Sequence, residues 1–368
     1  MALELASAYR EDRVMKVLNS YIASEILKGS LVASLVLLSL LNFFTFTDEL
    51  GDMDEGTYGI KDIFIYLSMT SPRDFYELLP SATLLGSLVT LGGLGSNREL
   101  IAMQAAGASK FRIIWAVVRG GLILAVFSSL IGEFVAPPSE RAAVDYKSEA
   151  TKQQVASRTK YGFWLRDGKI FINIRQIQHH DELGDISIFE FDENRRLKLE
   201  THADKAVYDG SKWRLNNIKI SRIGQNGASS ESKSTVDWAS VLAPELLNVF
   251  VVQPKNLSAY ELWKYMEYLD NNRQKNQNVE LAFWGRIVNP FVTLVMLLVA
   301  VPFVMTIRRE TSVGQRIVVG VTFGLGFYLF DSIFGHFGLI YQMNPILAAS
   351  FPTLMVFGFA VVAIARLR

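Results

Sequence analysis

The chain has 368 residues, half of them hydrophobic, and its mean hydropathy is +0.22. Its 37 basic and 36 acidic side chains give a formal charge of +1, which offers no basic stripe, so no nucleic-acid partner is expected. The absence of cysteine excludes disulfides, thiol catalysis, cysteine-based zinc sites and iron–sulfur clusters. The four histidines (His179, His180, His202 and His336) are too few for a His-rich metal site. Apolar residues gather in long blocks, the mark of transmembrane helices rather than of two soluble domains.

Residues 1–28 read as a polar-to-mixed cytoplasmic segment, and the apolar run after it as a retained span rather than a cleavable signal. Six apolar blocks of 19 to 25 residues follow, at about 29–47, 75–95, 113–136, 283–307, 317–337 and 345–364. Each can cross about 30 Å of hydrocarbon at about 1.5 Å per residue. The second is the least hydrophobic because Gly86, Gly92, Gly93 and Gly95 dilute it, and small residues favour close helix packing. The predicted layout is spans one to three in 29–136, with a cytoplasmic helix at about 96–110, a non-cytoplasmic domain with helical stalks in 137–282, and spans four to six in 283–368.

Basic residues near the span ends set the orientation. Arg10, Arg13, Lys16 and Lys28 precede span one, and Arg98, Lys110 and Arg112 lie between spans two and three. Arg308, Arg309 and Arg316 lie between spans four and five, and Arg366 and Arg368 close the chain. The opposite loops are acidic (48–62) or, near His336, free of Lys and Arg. Both termini are therefore expected in the cytoplasm.

In the large insert, SERAAVDYKSEATKQQ reads as a helical stalk. From Tyr161 the period becomes two, in KIFINIRQI, DISIFEFDENRRLKLE and KAVYDGSKWRLNNIKISRI. Turns are expected at Asp167-Gly168, Asp192-Glu193-Asn194 and Asp209-Gly210, and residues 226–233 read as a flexible polar loop. Short alternating strands without helices between them predict a sandwich or open barrel of the jelly-roll type. From Ser258 a helical pattern returns and leads into span four. The fold class expected is an α-helical membrane protein with six transmembrane helices and an inserted all-β jellyroll.

No phosphate-binding loop G-x-x-x-x-G-K-[ST], no H-E-x-x-H and no G-x-S-x-G is present. Gly324-Leu325-Gly326 follows no strand and reads as helix packing, and His179-His180 beside Asp181 reads as an exposed turn. No catalytic set, cofactor or metal is expected, and the chain is not read as an enzyme.

The informative segment is SNRELIAMQAAGASKFRI, a short amphipathic stretch ending in a cap signal at Gly107-Ala108-Ser109. It reads either as a surface helix between spans or as a coupling helix that docks in a groove of a nucleotide-binding partner. In the second reading Arg98 and Glu99 open the helix, Glu99 meets a basic rim, and Ala102, Ala105 and Gly107 allow close approach.

RELIAMQAAGASKFRI, GEFVAP at the end of span three, LGDISIFEFDENRRL in the β domain and FYLFDSIFGHFG in span five resemble the YjgP/YjgQ permease family, whose LptF and LptG members belong to the lipopolysaccharide exporter. The resemblance covers nearly the whole chain after Met15, and the β-domain segment leans to the LptG branch. It implies a type VI ABC-transporter permease in the Gram-negative inner membrane, with a periplasmic β-jellyroll like those of LptA and LptC. It also implies that lipopolysaccharide is extracted from that membrane and passed to a periplasmic bridge towards the outer membrane. The implied partners are an LptF-type permease in a heterodimer, a cytoplasmic LptB ATPase dimer that hydrolyses ATP, and LptC with LptA beyond it.

A large amphiphile needs an apolar cavity and cations at headgroup height. Span one offers Phe43, Phe44 and Phe46 with Asp48 beyond them, and span five offers Phe323, Phe327, Phe330 and Phe334 at about helical spacing. Lipid-facing packing is the other reading of both stripes. The family's lysines at the far end of span one are replaced here by Thr45, Gly51 and Asp52, with Asp48 retained. The candidate phosphate ligands are then Arg73 before span two and Arg141 and Lys147 after span three, the first and last by resemblance and Arg141 by its level. Anchoring of helix ends is the alternative for all three. A competing class is an LptF-type paralogue or a non-transport scaffold whose β domain binds partners, and the scaffold leaves the coupling pattern unexplained.

Overall fold

The computed structural model describes residues 2–53, 55–151, 162–179, 182–224, 227–238, 253–306 and 312–366. Its helices are α1 (Ala2–Glu49), α2 (Ile60–Ser96), α3 (Glu99–Ala105), α4 (Lys110–Leu130), α5 (Ala136–Thr151), α6 (Ala259–Asn271), α7 (Gln277–Thr306), α8 (Val313–Ile340) and α9 (Pro345–Ala365). A π-helical turn, Ile131–Val135, joins α4 to α5. Among the described residues, six stretches are long and apolar enough to cross a membrane: Val17–Asp52, Ile60–Ser96, Lys110–Thr151, Gln277–Met305, Val313–Ile340 and Pro345–Ala365. Five of the six expected spans fall inside them, and the fourth, expected at 283–307, does so as far as Met305. The chain forms two compact units, Met1–Thr47 with Thr70–Ser139 and Gln277–Arg368, and Asp48–Met69 with Glu140–Asn276.

In the first unit the helices pack through small residues and branched aliphatics. A Cβ on Gly86 would stand 2.4 Å from the backbone of Gly29, so spans one and two meet backbone to backbone. The expected use of the span-two glycines holds at Gly86 and at Gly92, where Arg316 lies flat, whereas Gly93 faces open space. Ile22, Ile26, Leu91, Ile113, Val117, Leu297 and Val301 form one buried cluster, and Leu84, Leu88, Met296, Val299 and Ala360 another. Several span hydroxyls bond back to their own helix, as in Ser34 Oγ to Ser30 O (2.8 Å) and Thr90 Oγ1 to Gly86 O (2.8 Å), which removes the cost of an unpaired donor in hydrocarbon, whereas the buried hydroxyls of Ser30, Thr83, Ser87, Ser128 and Thr353 have no partner among the described residues. Gly324 packs on Ser81 as a packing glycine should, but Gly326 meets nothing.

The second unit carries β1 (Phe163–Asp167), β2 (Ile170–His179), β3 (Glu182–Phe191), β4 (Leu197–Tyr208), β5 (Trp213–Gly224) and β6 (Gly227–Trp238). They form one antiparallel sheet in chain order. The all-β insert is as expected. Among the described strands each neighbour is the next in sequence, so the connectivity is that of a meander and not of paired Greek keys. Alternation sets the buried face: Ile172 and Ile174 pair with Ile188 and Ile186, and Ala203, Ile218 and Ile220 continue the same side. Trp213 and Leu215 complete that core.

All three expected turns are present, and Asp209 shows how one is held. Its Oδ1 accepts from the backbone N–H of Ser211 and Lys212 at 3.1 Å each, and those bonds, Lys212's first, lower its carboxyl below the ordinary aspartate value. The expected loop at 226–233 is a correction. From Gly227 onward the chain is strand β6, paired with β5 from Gly224↔Gly227 to Trp213↔Trp238. As an edge strand exposed on both faces over most of its length, GASSESKST shows no hydrophobic alternation for a sequence pattern to detect. Residues Asn226, His180 and Asp181 lie outside the described residues.

Candidate functional site

The segment between spans two and three folds as the cap signals require. After α2 the backbone turns at Arg98, which takes a left-handed conformation (φ 63°) with its side chain exposed, and α3 begins at Glu99. Gly107 (φ 96°) ends the turn beyond α3, and Ser109 Oγ accepts from the Arg112 N–H at 3.3 Å to open α4. Leu100 is buried beside Ile22, Leu94 and Ile113, so it pins α3 to the helical core. The other side of α3 is exposed and carries Ile101, Ala102, Gln104 and Ala105, with Ala106 just beyond it. Ala102 and Ala105 therefore share an outward face, and Ile101 and Ala106 belong to it as well, a pairing legible in the i, i+4 spacing. Glu99 is half-buried, and its Oε2 accepts from the Tyr21 hydroxyl at 2.8 Å. It ties α3 to α1.

The span-five aromatics converge on one groove. Phe323, Phe327 and Phe330 line a cavity of about 490 Å³ with Val318, Val319, Thr322, Gly326 and Val356 of α9. Phe334 lies one turn further along, stacked on Phe351 with ring centroids 4.7 Å apart. Gly326, placed in helix packing by the sequence reading, instead opens the groove wall. In span one Phe43 is exposed and meets Phe44 edge-on at 5.9 Å; Phe46 is half-buried and Asp48 is exposed.

Each of the three expected phosphate ligands already holds a carboxylate. Arg73 donates from Nη2 to Asp74 Oδ1 (2.8 Å) and from Nε to the same oxygen (3.2 Å), with Glu77 3.7 Å away. Arg141 pairs with Glu261, whose other oxygen accepts from the Ser258 N–H (2.9 Å) in the capping box of α6. Lys147 Nζ bonds Glu49 Oε1 and Asp52 Oδ2, both at 2.8 Å, over the rings of Tyr58 and Tyr66. The Tyr58 hydroxyl donates to Glu49 at 2.8 Å, and burial followed by that carboxylate pushes its pKa above the ordinary tyrosine value. No group of three or more His, Asp or Glu among the described residues is arranged to hold a metal ion.

One cation was missed by the motif reading. The first four residues of GEFVAP lie in the π turn Ile131–Val135, where the Gly132 carbonyl accepts from Arg286 Nη1 at 2.8 Å. Arg286 also lies over the Tyr76 ring at 5.0 Å, and a Cβ on Gly132 would strike that ring at 2.4 Å. A lone arginine three residues into the fourth apolar block was the available signal.

The family profile described as "Lipopolysaccharide export system permease LptF/LptG" matches residues 20–366. The chain is 33% identical over 341 residues to the lipopolysaccharide export system permease protein LptG of Escherichia coli strain K12, covering 92% of this chain and 94% of the relative. It is 32% identical over 344 residues to LptG of Haemophilus influenzae, covering 93% and 96%. Against LptF of Escherichia coli strain K12 the similarity is 30% over 111 residues, about 30% of each chain. A match over nearly the full length, joined to six apolar helices interrupted by a six-stranded sheet, means that this multi-pass membrane protein belongs to the lipopolysaccharide export system permease LptF/LptG family.

Proposed function

We propose that this chain is the LptG-type permease subunit of a lipopolysaccharide exporter, working with an LptF-type permease and driven by a cytoplasmic LptB-type ATPase dimer. Lipopolysaccharide leaves the inner membrane through the spans and passes by way of an LptC-type component to an LptA-type bridge. The observation that carries the reading is the outward face of α3: a short helix pinned by Leu100 that offers Ile101, Ala102 and Ala105 with the uncharged Gln104 for docking. The positive flanks of the spans support an orientation with both termini and α3 in the cytoplasm and the β domain in the periplasm. Domain limits near 1–28, 29–136, 137–282 and 283–368 follow from that orientation.

In this reading the groove beside Phe323, Phe327 and Phe330, with Phe334 one turn beyond it, takes acyl chains, and Phe43, Phe46 and Asp48 are further lipid contacts at the end of span one. Phosphate at Arg73, Arg141 or Lys147 has to displace or share a carboxylate, so binding there is an exchange rather than a capture by an idle cation. Glu99 acts chiefly by holding α3 to α1, and Arg98, Ala102, Ala105 and Gly107 shape the docking face. Co-purification from detergent tests the proposal. The tagged chain is expected to bring down a soluble ATPase, a second permease and lipopolysaccharide, and a chain recovered without the ATPase overturns the reading.

A further inference from the structure

Among the described residues Arg316 is the one basic side chain that is buried, with 6% of its surface exposed. It stands in the first turn of α8, three residues after Val313. Its stem crosses Gly92 of span two, where a Cβ would lie 2.7 Å from Arg316 Cδ and Nε and 2.8 Å from Cζ. Gly92 thus keeps free the seat on which the guanidinium rests.

Unlike Arg73, Arg141 and Lys147, Arg316 holds no carboxylate. No hydrogen bond or ion pair among the described residues reaches its guanidinium. The acids on the neighbouring stretches of α1 and α3, Glu25 and Glu99, are engaged by Lys28 (2.9 Å) and Tyr21 (2.8 Å). The carbonyls at the end of α2 are taken as well: Gly93 O accepts from the Asn97 N–H and from Ser96 Oγ, both at 2.9 Å, and Gly95 O from the Arg98 N–H at 3.2 Å. The start of α8 is the positive end of its helix dipole, so the local backbone disfavours a cation there. A buried charge that nothing pairs is costly. Yet none of the Arg316 nitrogens is among the sealed, unbonded polar atoms, so an anion can reach them.

The height of the site indicates which anion. The 28 residues of α8 run about 42 Å, against about 30 Å of hydrocarbon. A centred helix leaves about four residues at each end among the headgroups, which puts Arg316 at phosphate height. We propose that Arg316 and the first turn of α8 bind the headgroup phosphate of an anionic phospholipid, at the junction of spans two and five in the leaflet on the α3 side. A guanidinium meets phosphate oxygens bidentately, the positive end of the helix favours the same anion, and basic pockets between spans hold such headgroups. Phospholipid phosphates already stand at this height, whereas a carboxylate of a soluble partner has to reach beneath them. The site does not depend on the exporter reading and survives its failure.

The full chain, stripped of lipid in detergent, is titrated with phosphatidylglycerol or phosphatidylcholine, and bound lipid is counted by native mass spectrometry. Arg316→Gln is expected to weaken the tightest phosphatidylglycerol site by roughly tenfold, the scale of a hydrogen-bonded charge, and to leave phosphatidylcholine uptake unchanged. Arg316→Lys is expected to keep most of the affinity. Gly92→Ala keeps the charge but fills its seat, and is expected to lower phosphatidylglycerol uptake severalfold; it decides the matter if Arg316→Gln does not accumulate. Wild-type phosphatidylglycerol uptake by either variant overturns the inference. Displacement of the lipid by inorganic phosphate at equal concentration overturns it in favour of a free-phosphate site. Loss of ATPase recovery by Arg316→Gln with lipid uptake intact overturns it in favour of a protein partner.

Discussion

Lys147 Nζ lies 2.7 Å from Glu49 Oε2, which joins the helix leading to the β sheet to the end of α1. Glu49 is buried and Lys147 half-buried, and the loop between them is stitched to the same helix by Thr57 N–H and Thr57 Oγ1, both donating to Ala150 O at 2.8 and 3.1 Å. Gly56 takes φ 60° and stands so close to Ala150 that a Cβ there would lie 2.5 Å from its carbonyl oxygen. The cation is thus a structural clamp before it is a ligand.

Replacing Lys147 by Met strands the buried Glu49 carboxylate, which keeps only the Tyr58 hydroxyl among these bonds, and should cost about 1–3 kcal/mol locally. Amide hydrogen exchange over residues 50–58 is expected to quicken accordingly. The converse change separates clamp from ligand. Glu49→Gln with Asp52→Asn loosens Lys147 and should raise lipopolysaccharide retention severalfold if phosphate competes for that ammonium. Unchanged retention would confine Lys147 to the structural role.

At α3 the Tyr21–Glu99 bond sets a graded expectation. Tyr21→Phe removes one exposed hydrogen bond and should weaken ATPase recovery only slightly. Ala102→Trp puts a large side chain on the docking face and should abolish recovery while the protein still accumulates. If Ala102→Trp recovers the ATPase normally, docking occurs elsewhere.

What the sequence made legible follows the length scale of each signal. The six spans announce themselves through about 20 apolar residues apiece, and the α3 caps through Gly107 and Ser109. Strands β2 to β5 are legible because one face is buried, which enforces the alternation seen in Ile172, Ile174, Ile186 and Ile188. Strand β6 is illegible for the opposite reason, since nothing covers either of its faces along most of its length. The partners of Arg73, Arg141 and Lys147 were hidden as well: Arg141 and Glu261 are 120 residues apart, and Lys147 and Glu49 are 98. A charge count shows that cations are present but not which carboxylates already hold them.

Tyr268 gives a pH prediction. Its hydroxyl donates to the Arg166 carbonyl at 2.8 Å, fastening α6 to β1, and burial pushes its pKa up to about 12. A phenol raised above its unfolded value near 10 stabilises the fold fully below about pH 10 and loses that contribution as the pH climbs through about 12. Thermal unfolding of the intact chain, followed by tryptophan fluorescence from pH 8 to 12, should show a midpoint that falls across the upper half of this range. Tyr268→Phe should start lower and fall less steeply. A wild-type profile parallel to that of Tyr268→Phe would show that Tyr268 does not govern this range.

The π turn yields the last prediction. Gly132 is hemmed in twice: the Tyr76 ring fills the place of a Cβ, and Arg286 donates to its carbonyl. Gly132→Ala must push the Tyr76 ring aside by several tenths of an ångström or more, and overpacking of this kind costs about 1–3 kcal/mol. Arg286→Leu leaves the carbonyl without its donor inside an apolar span, which costs about 1–3 kcal/mol as well, with Tyr76 also losing its cation. Both act on one contact, so the double variant should cost clearly less than the sum of the single ones. Detergent melting temperatures of the four proteins form the cycle. Strict additivity would mean that Arg286 and Gly132 stabilise the spans independently, and that the turn persists without its arginine.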